Sequence, residues 1–167
     1  MVQPSAQRER EIGLEVFFSD TAGSGGKLKM EAEDFVVDEV SKYPPEKPDG
    51  KVCVARVTAT NWETNRLVRH MSKSLGISRN RIGFAGTKDK RAVTSQLMSF
   101  EAPVDEVMAL RLSQVRVEGG YAAKRGMTIG DLVGNNFKIR VRDARLRGGE
   151  LSSSLLGTRE ALEGLGG

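Results

Sequence analysis

The segment "NFKIRVR" (136–142) constrains the fold most, because its side chains alternate strictly between apolar and basic. Side chains that alternate in this way point to opposite faces of an extended strand. One face would carry Phe137, Ile139 and Val141, and the other Lys138, Arg140 and Arg142. The segment therefore predicts a strand of a sheet whose two faces differ in polarity.

Further strands and helices follow from the same kind of pattern. β-Branched or alternating segments predict strands at 34–40, 51–60, 81–85, 93–100 and 114–118. Helices are predicted at 61–75 and 104–112, with a weak helical pattern beyond 148, and 119–135 is predicted to be a glycine-punctuated connection. The short connections favour an α+β fold with a largely antiparallel mixed sheet flanked by helices.

The helix predicted at 61–75 is amphipathic and has a capping signal. Thr60 is followed three residues later by Glu63, the spacing of a capping box. One face is apolar, and the opposite face is a basic stripe of Arg66, Arg69, His70 and Lys73. The stripe is either a solvated surface or a phosphate-binding one, and in both cases His70 lies at the surface.

Length and composition fit one soluble domain. The 167 residues contain no apolar run of the roughly 20 residues needed to cross a bilayer, and the N-terminus lacks the apolar core of a secretory signal. We therefore expect a cytoplasmic protein that does not bind membranes. Cys53 is the only cysteine and His70 the only histidine, which excludes an internal disulfide and disfavours a zinc site.

The charge is unevenly distributed along the chain. Residues 51–147 carry 19 Lys or Arg and 8 Asp or Glu, a net charge of +11, whereas the segments on either side are acidic. Such a polycation would attract a nucleic-acid backbone. Charge alone is equally consistent with a soluble basic domain that has no such partner.

The segment "FAGTKDKRAVTSQ" (84–96) places one acid, Asp89, among Lys88, Lys90 and Arg91. A phosphate-binding loop would need lysine after its second glycine, but Thr87 follows Gly86. Two interpretations remain open on local grounds. The segment is a charged surface turn, or Asp89 is a carboxylate that its basic neighbours keep ionised and that reacts with an anionic substrate.

Four segments together resemble the TruD family of tRNA pseudouridine synthases. They are "KMEAEDFVVDEV" (29–40), the helix and strand of 61–90, "GTKDKRAVTSQ" (86–96) and "IGDLVGNNFKIRVR" (129–142). They occur in the order and at the spacing of that family, over roughly residues 27–143. The resemblance implies a pseudouridine-synthase-like catalytic core that isomerises a uridine of tRNA, at position 13, without metal or organic cofactor.

The resemblance also implies roles for individual residues. Asp89 matches the essential carboxylate and Lys29 the basic residue that pairs with it, while Asn135 matches a residue near the bound base. Phe137 matches an aromatic that packs against a flipped base, although the alternation alone would make it a core residue. Lys88, Lys90 and Arg91 are expected to bind the RNA backbone.

Members of that family are more than twice as long and carry a large insertion within the catalytic domain. We therefore expect an incomplete core, with a flexible segment at 1–26, the N-terminal part of the catalytic domain at 27–147, and a poorly matched tail at 148–167 where the insertion would begin. The partners expected are tRNA and the missing C-terminal half of the enzyme. The alternative is a non-catalytic RNA-binding fragment or half of a split enzyme.

Overall fold

The computed structural model describes residues 7–13, 21, 23–146 and 148–163. The chain divides into two compact units, one formed by residues 28–140 and the other by the two ends of the chain, residues 1–27 and 141–167. The unit of residues 28–140 contains a six-stranded sheet. The strands are Phe35–Ser41 (β1), Val52–Thr60 (β2), Ile82–Phe84 (β3), Val93–Phe100 (β4), Val115–Ala123 (β5) and Leu132–Ile139 (β6).

The sheet is mixed and largely antiparallel, as predicted. Its strand order is β5-β2-β4-β1-β6, and β3 pairs with the end of β4. β1 runs parallel to β4, whereas the other strand pairs described are antiparallel. β4 pairs with β1 through Val93, Thr94 and Ser95 and with β3 through Met98, Ser99 and Phe100. The loop from β3 to β4 therefore starts beside the end of β1.

The described α-helices are Gln7–Arg10 (α1), Thr64–Ser74 (α2), Val104–Met108 (α3) and Gly148–Glu163 (α4). None of the helices in the described part of the chain is long and apolar enough to span a membrane. α2 and α3 belong to the unit of residues 28–140, and α1 and α4 to the other unit.

α2 begins later than predicted and is capped by a different residue. Thr60 is the last residue of β2, where it pairs with Val93, so it is not available as a cap. Glu63 is the cap, because its carboxylate accepts hydrogen bonds from the amides of Asn65 and Arg66 at 2.8 and 2.9 Å. Both bonds lower the pKa of Glu63, and the bond from Asn65 has the larger effect. The predicted position of His70 at the surface is confirmed.

One face of the sheet is covered by helices over only half of its width. Leu67, Val68 and Met71 of α2 and Val107 of α3 pack against buried side chains of β2 and β4. A smaller cluster around Val54 and Leu97 lies on the opposite face. The cores thus stabilise β5, β2 and β4, and leave β1 and β6 outside the helical cover.

The end of the sheet at β6 differs from the prediction in two ways. β6 starts at Leu132 and β5 extends to Ala123, so the connection predicted at 119–135 is wrong over much of its length. The glycines at 119 and 120 instead accompany a register shift between β2 and β5. The alternation after 136 is present, but the side chains of Phe137 and Ile139 are about half exposed rather than buried in a core.

The other unit joins the two ends of the chain. The backbones of Lys27 and Arg142 exchange two hydrogen bonds of 2.7 and 3.0 Å. The helical pattern predicted beyond 148 is confirmed as α4, whose Thr158 hydroxyl lies 2.8 Å from that of Thr21. Of the flexible segment predicted at 1–26, residues 1–6, 14–20 and 22 lie outside the described residues.

A buried carboxylate fixes the turn that leads into β6. Asp131 is 3% exposed, and its oxygens each accept a hydrogen bond of 2.6 Å from the guanidinium of Arg125. Asp131 also accepts hydrogen bonds from the amide and hydroxyl of Thr128, which completes a capping box. The bonds from Arg125 are the main reason that the pKa of Asp131 is held well below its usual range.

We predict that Asp131→Asn lowers the free energy of unfolding at pH 7 by about 2 kcal/mol, because it weakens charge-assisted hydrogen bonds. The folded-state pKa of Asp131 is depressed. Its contribution is therefore complete above the unfolded-state pKa of about 4 and is lost as the pH falls through the folded-state pKa. Urea unfolding at pH 7, 4 and 2.5 should show the gap between wild type and variant shrinking with acid. Asp49→Asn, at an exposed ion pair, is the control, and a gap that grew with acid would contradict the prediction.

Candidate active site

Asp89 lies in the loop between β3 and β4, where residues 85–92 form neither helix nor strand. Its carboxylate is 58% exposed and accepts a hydrogen bond of 2.5 Å from the ammonium of Lys29. Lys29 is 60 positions away in sequence, so the folded chain brings together two groups that the sequence predicted to pair. The result is an ion pair whose carboxylate is open to solvent and whose cation is largely covered.

The backbone before β1 places Lys29. Its φ of 53° is in the left-handed region, which a lysine rarely adopts. A short 3-10 turn, Ala32–Asp34, follows and is closed by Asp34, which is fully buried and accepts a hydrogen bond of 3.1 Å from the amide of Glu31. The Lys29 ammonium then lies 3.9 Å from the ring centroid of Phe35, a cation–π contact. The turn thus directs the side chain of Lys29 over the start of β1, where Phe35 lies.

β6 contributes the next two predicted residues on the same face of the sheet. Val37 is paired with Phe137 and Glu39 with Asn135, and cross-strand partners project to the same face. The ring of Phe137 is 58% exposed and meets the ring of Phe35 edge-on, with 5.9 Å between centroids. Contacts therefore run from Asp89 through Lys29 and Phe35 to an exposed aromatic ring.

Two buried amide oxygens in this region have no hydrogen-bond partner within the described residues. They are Oδ1 of Asn135 and Oε1 of Gln96. Gln96 is 2% exposed and lies on β4 between the residues that pair with β1 and those that pair with β3. Unpaired buried acceptors are uncommon in proteins and are more often found at functional sites. The oxygen of Asn135 is itself shut off from solvent, so a bound molecule reaches it only if the neighbouring side chains move.

The position of Lys88 does not fit the predicted contact with an RNA backbone. Its side chain is 5% exposed, and its ammonium lies 2.5 Å from the carboxylate of Glu39, which is fully buried. Lys90 and Arg91 are exposed as expected, and the guanidinium of Arg91 lies 3.4 Å from the carbonyl oxygen of Met30. RNA contact by Lys90 and Arg91 remains a prediction, while Lys88 points into the protein.

Sequence reasoning missed Glu39 and gave no role to Phe35. Alternate residues of β1 point to the same face of the sheet, and Phe35, Val37 and Glu39 are three of them. Glu39 is therefore an acid on the face that carries apolar side chains. This position could have predicted a buried cation beside Glu39, because a carboxylate is rarely buried without one. Nothing local to β1 indicated that the cation would come from position 88.

The described residues hold no group of three or more His, Cys, Asp or Glu side chains that could bind a metal ion. Cys53 is fully buried in the core of β2. Burial raises the pKa of its thiol to about 11, so it stays protonated at neutral pH. The polar chemistry of the site thus rests on Asp89, Lys29 and the side-chain amides.

The sequence of the chain matches a known protein family. Residues 11–166 match the family model of tRNA pseudouridine synthase D (TruD), a match that extends beyond the residues of the four motifs. A relative from Methanococcoides burtonii, named "Probable tRNA pseudouridine synthase D", is 39% identical over 162 residues, covering 95% of this chain and 36% of the relative. One from Archaeoglobus fulgidus with the same name is 40% identical over 138 residues, covering 82% and 33%.

The fold has a counterpart among solved structures. The crystal structure of a Methanosarcina mazei protein assigned to tRNA pseudouridine synthase D (TruD) superposes with a TM-score of 0.83 at 34% sequence identity. The superposition covers 95% of this chain and 36% of that one. The chain therefore spans about a third of the length of the proteins it matches, which agrees with the expectation of an incomplete catalytic core.

We predict that Asn135→Leu raises the free energy of unfolding by about 1 kcal/mol, because it removes a buried acceptor that has no partner. Urea unfolding measures the change. The matched control is Asn136→Leu, at an exposed amide on the other face of β6, which should shift stability by less than about 0.5 kcal/mol. A loss of stability in Asn135→Leu would mean that its amide is well satisfied in the folded protein.

Proposed function

The chain belongs to the tRNA pseudouridine synthase D (TruD) family, and on this basis we propose that it carries the catalytic aspartate of an enzyme that converts a uridine of tRNA into pseudouridine. The ion pair between Asp89 and Lys29 is the observation that supports this most directly. It holds a solvent-facing carboxylate beside a cation. An accessible carboxylate is what the reaction needs.

The reaction is an isomerisation without oxidation or reduction. The bond between N1 of uracil and C1′ of ribose breaks, the base turns, and a bond between C5 and C1′ forms, while C5 loses its proton to solvent and N1 takes up a proton from solvent. Asp89 serves this sequence either by attacking C1′ as a nucleophile or by abstracting a ribose proton as a base. Both routes make the carboxylate of Asp89 essential and require neither metal nor organic cofactor.

Phe137 and Asn135 supply the surroundings of the base. A nucleotide taken out of an RNA stack needs an aromatic face and hydrogen bonds to its edge. Phe137 offers an exposed ring supported by Phe35, and Asn135, on the same strand and face, has an unpaired amide oxygen that becomes accessible only if its neighbours move. We assign both to the binding of the target uracil. On family resemblance alone, we extend the proposal to the uridine at position 13 of tRNA.

The basic face of α2 is the proposed surface for the flanking RNA backbone. Arg66, Arg69, His70 and Lys73 are exposed, and none of the three strong cations forms an ion pair with a described carboxylate. The guanidinium of Arg66 lies 5.3 Å from the ring centroid of Trp62, which restricts its orientation. The first residue of α2, Thr64, touches the loop of Asp89. α2 therefore begins beside the loop that carries Asp89, whereas its basic face lies on the opposite, exposed side of the helix from Thr64.

The alternative is a binding fragment that acts only with the rest of the enzyme. Exposed apolar side chains of β6, including Val133, Phe137 and Ile139, favour this alternative, since the chain covers only about a third of its relatives. In that case the fragment binds RNA without turnover. The two functions differ in whether the chain turns over tRNA and whether that turnover depends on Asp89.

We predict that wild-type chain releases tritium from tRNA labelled at C5 of uridine in a single turnover, and that Asp89→Asn abolishes release by more than about 1,000-fold. The affinity for tRNA should stay within about twofold, because Asp89 contributes to chemistry rather than to backbone binding. Asp105→Asn, at an exposed acid of α3, is the control. Undiminished release by Asp89→Asn would refute the proposal. Binding without release by folded wild type would establish the fragment alternative.

We predict that Arg66→Ala combined with Lys73→Ala makes the salt dependence of tRNA binding shallower by about 1.5 in the slope of log affinity against log salt, since each lost phosphate contact contributes about 0.7–0.9. The charge-matched control is Arg116→Ala with Lys138→Ala. These residues are exposed on the face of the sheet opposite α2. Equal slopes for wild type and the α2 variant would show that the basic face is only solvated.

A further inference from the structure

Lys88 is buried although both of its neighbours in sequence are exposed. Its side chain is 5% exposed, whereas that of Asp89 is 58% exposed. The ammonium of Lys88 and the carboxylate of Glu39 form an ion pair of 2.5 Å in which the carboxylate has no solvent contact. Removing two charges from water is unfavourable, and apolar side chains of similar volume often stabilise a protein equally well. Stability alone therefore does not explain why Lys88 and Glu39 form a buried ion pair.

Three parts of the protein hold residue 88. Glu39 of β1 accepts the hydrogen bond from its ammonium and is itself held by a hydrogen bond of 2.6 Å from the hydroxyl of Ser41. The backbone amide of Lys88 donates to the hydroxyl of Thr64, the first residue of α2, at 2.8 Å. The carbonyl oxygen of Gly86 lies 3.4 Å from the ammonium. A strand, a helix and the loop thus converge on one residue.

These contacts determine the direction in which the side chain of Asp89 points. Residues 85–92 have no helix or strand that could fix their backbone, so the loop takes its shape from such anchors. With the side chain of Lys88 directed inward and its amide bonded to Thr64, the peptide that leads to Asp89 is fixed at one end. Asp89 then projects outward, where the ammonium of Lys29 meets it at 2.5 Å.

We propose that the buried ion pair of Lys88 and Glu39 positions Asp89, so that these are positioning residues of the reaction rather than RNA contacts. The proposal rests on the function proposed for Asp89. Displacing a catalytic group by as little as about 1 Å can lower turnover about 100-fold. A directional ion pair locked by Ser41 and Thr64 fixes the loop more tightly than apolar packing, which has no preferred angle.

The test compares two single variants with one double variant. Lys88→Met and Glu39→Gln each leave one buried partner without its counter-charge, and both are expected to be destabilised. The double variant Lys88→Met with Glu39→Leu leaves no buried charge, and its thermal stability should return to near wild type. Lys47→Met, at an exposed ion pair with Asp49, is the control for loss of a lysine.

Amide hydrogen exchange is the first readout, because it does not depend on activity. The amide of residue 88 reports on the loop, and the amide of Ala55, in the core of β2, reports on global unfolding. In the double variant, exchange at residue 88 should rise at least about tenfold while exchange at Ala55 matches wild type. If both amides keep their wild-type exchange in the double variant, the positioning proposal is overturned.

Single-turnover tritium release is the second readout. The double variant should lose about 100-fold in rate at saturating tRNA with unchanged affinity. Wild-type turnover in the stable double variant would overturn the proposal. If wild-type chain releases no tritium, the failure falls on the proposed function, and the exchange comparison alone decides whether the ion pair positions the loop.

Discussion

The pairing of β1 with β6 holds the candidate site together. It places Phe137 opposite Val37 and Asn135 opposite Glu39, and so aligns the aromatic ring and the amide with the face toward which Lys29 and Asp89 are turned. A slip of β6 by one residue would send Phe137 and Asn135 to the other face of the sheet. The register is fixed at one end by the Asp131 turn and at the other by the backbone bond of 2.8 Å from Arg140 to Asp34. The chemistry of the site therefore depends on the register of a strand pair.

The uneven cover of the sheet follows from the same arrangement. Helices α2 and α3 bury the half formed by β5, β2 and β4. The residues of the candidate site occupy the other half, where Val37 and Glu39 of β1 are buried but Phe137 of β6 is exposed. Exposed side chains such as Phe137 and Ile139 would weaken an ordinary core strand. They are consistent with a surface that a ligand, or the remaining length of a longer family member, would cover.

Local patterns predicted the elements well where one face is buried. β4 has the predicted bounds, and β1 and β2 differ from prediction by about one residue, because β-branched runs specify strands directly. The parallel pairing of β1 with β4 could not be read from the sequence, since it depends on the long-range path of the chain. The strand predicted at 136–142 starts four residues and ends three residues later than β6. Its start was missed because Gly134 and Asn135 are poor strand formers and only tertiary pairing makes them extended.

The candidate site shows the same division between local and long-range information. Asp89 and Lys29 were predicted to pair through family resemblance, and the structure brings them together. The partner of Lys88 was missed because charge composition cannot separate a cation that faces solvent from one that meets a buried acid 49 positions away. Phe137 resembled a core residue by alternation, yet its exposure depends on which half of the sheet the helices cover.

The central place of β1 has a consequence for synthesis. Of the described strands, β1 comes first in the sequence, but its partners β4 and β6 begin 58 and 97 residues after Phe35. Until then its β-branched edge has nothing to pair with, and long-range pairings of this kind form slowly. β2 and β4, joined by their own antiparallel ladder, can associate before β6 is made. The residues of the site should thus meet later than those that join β2 to β4.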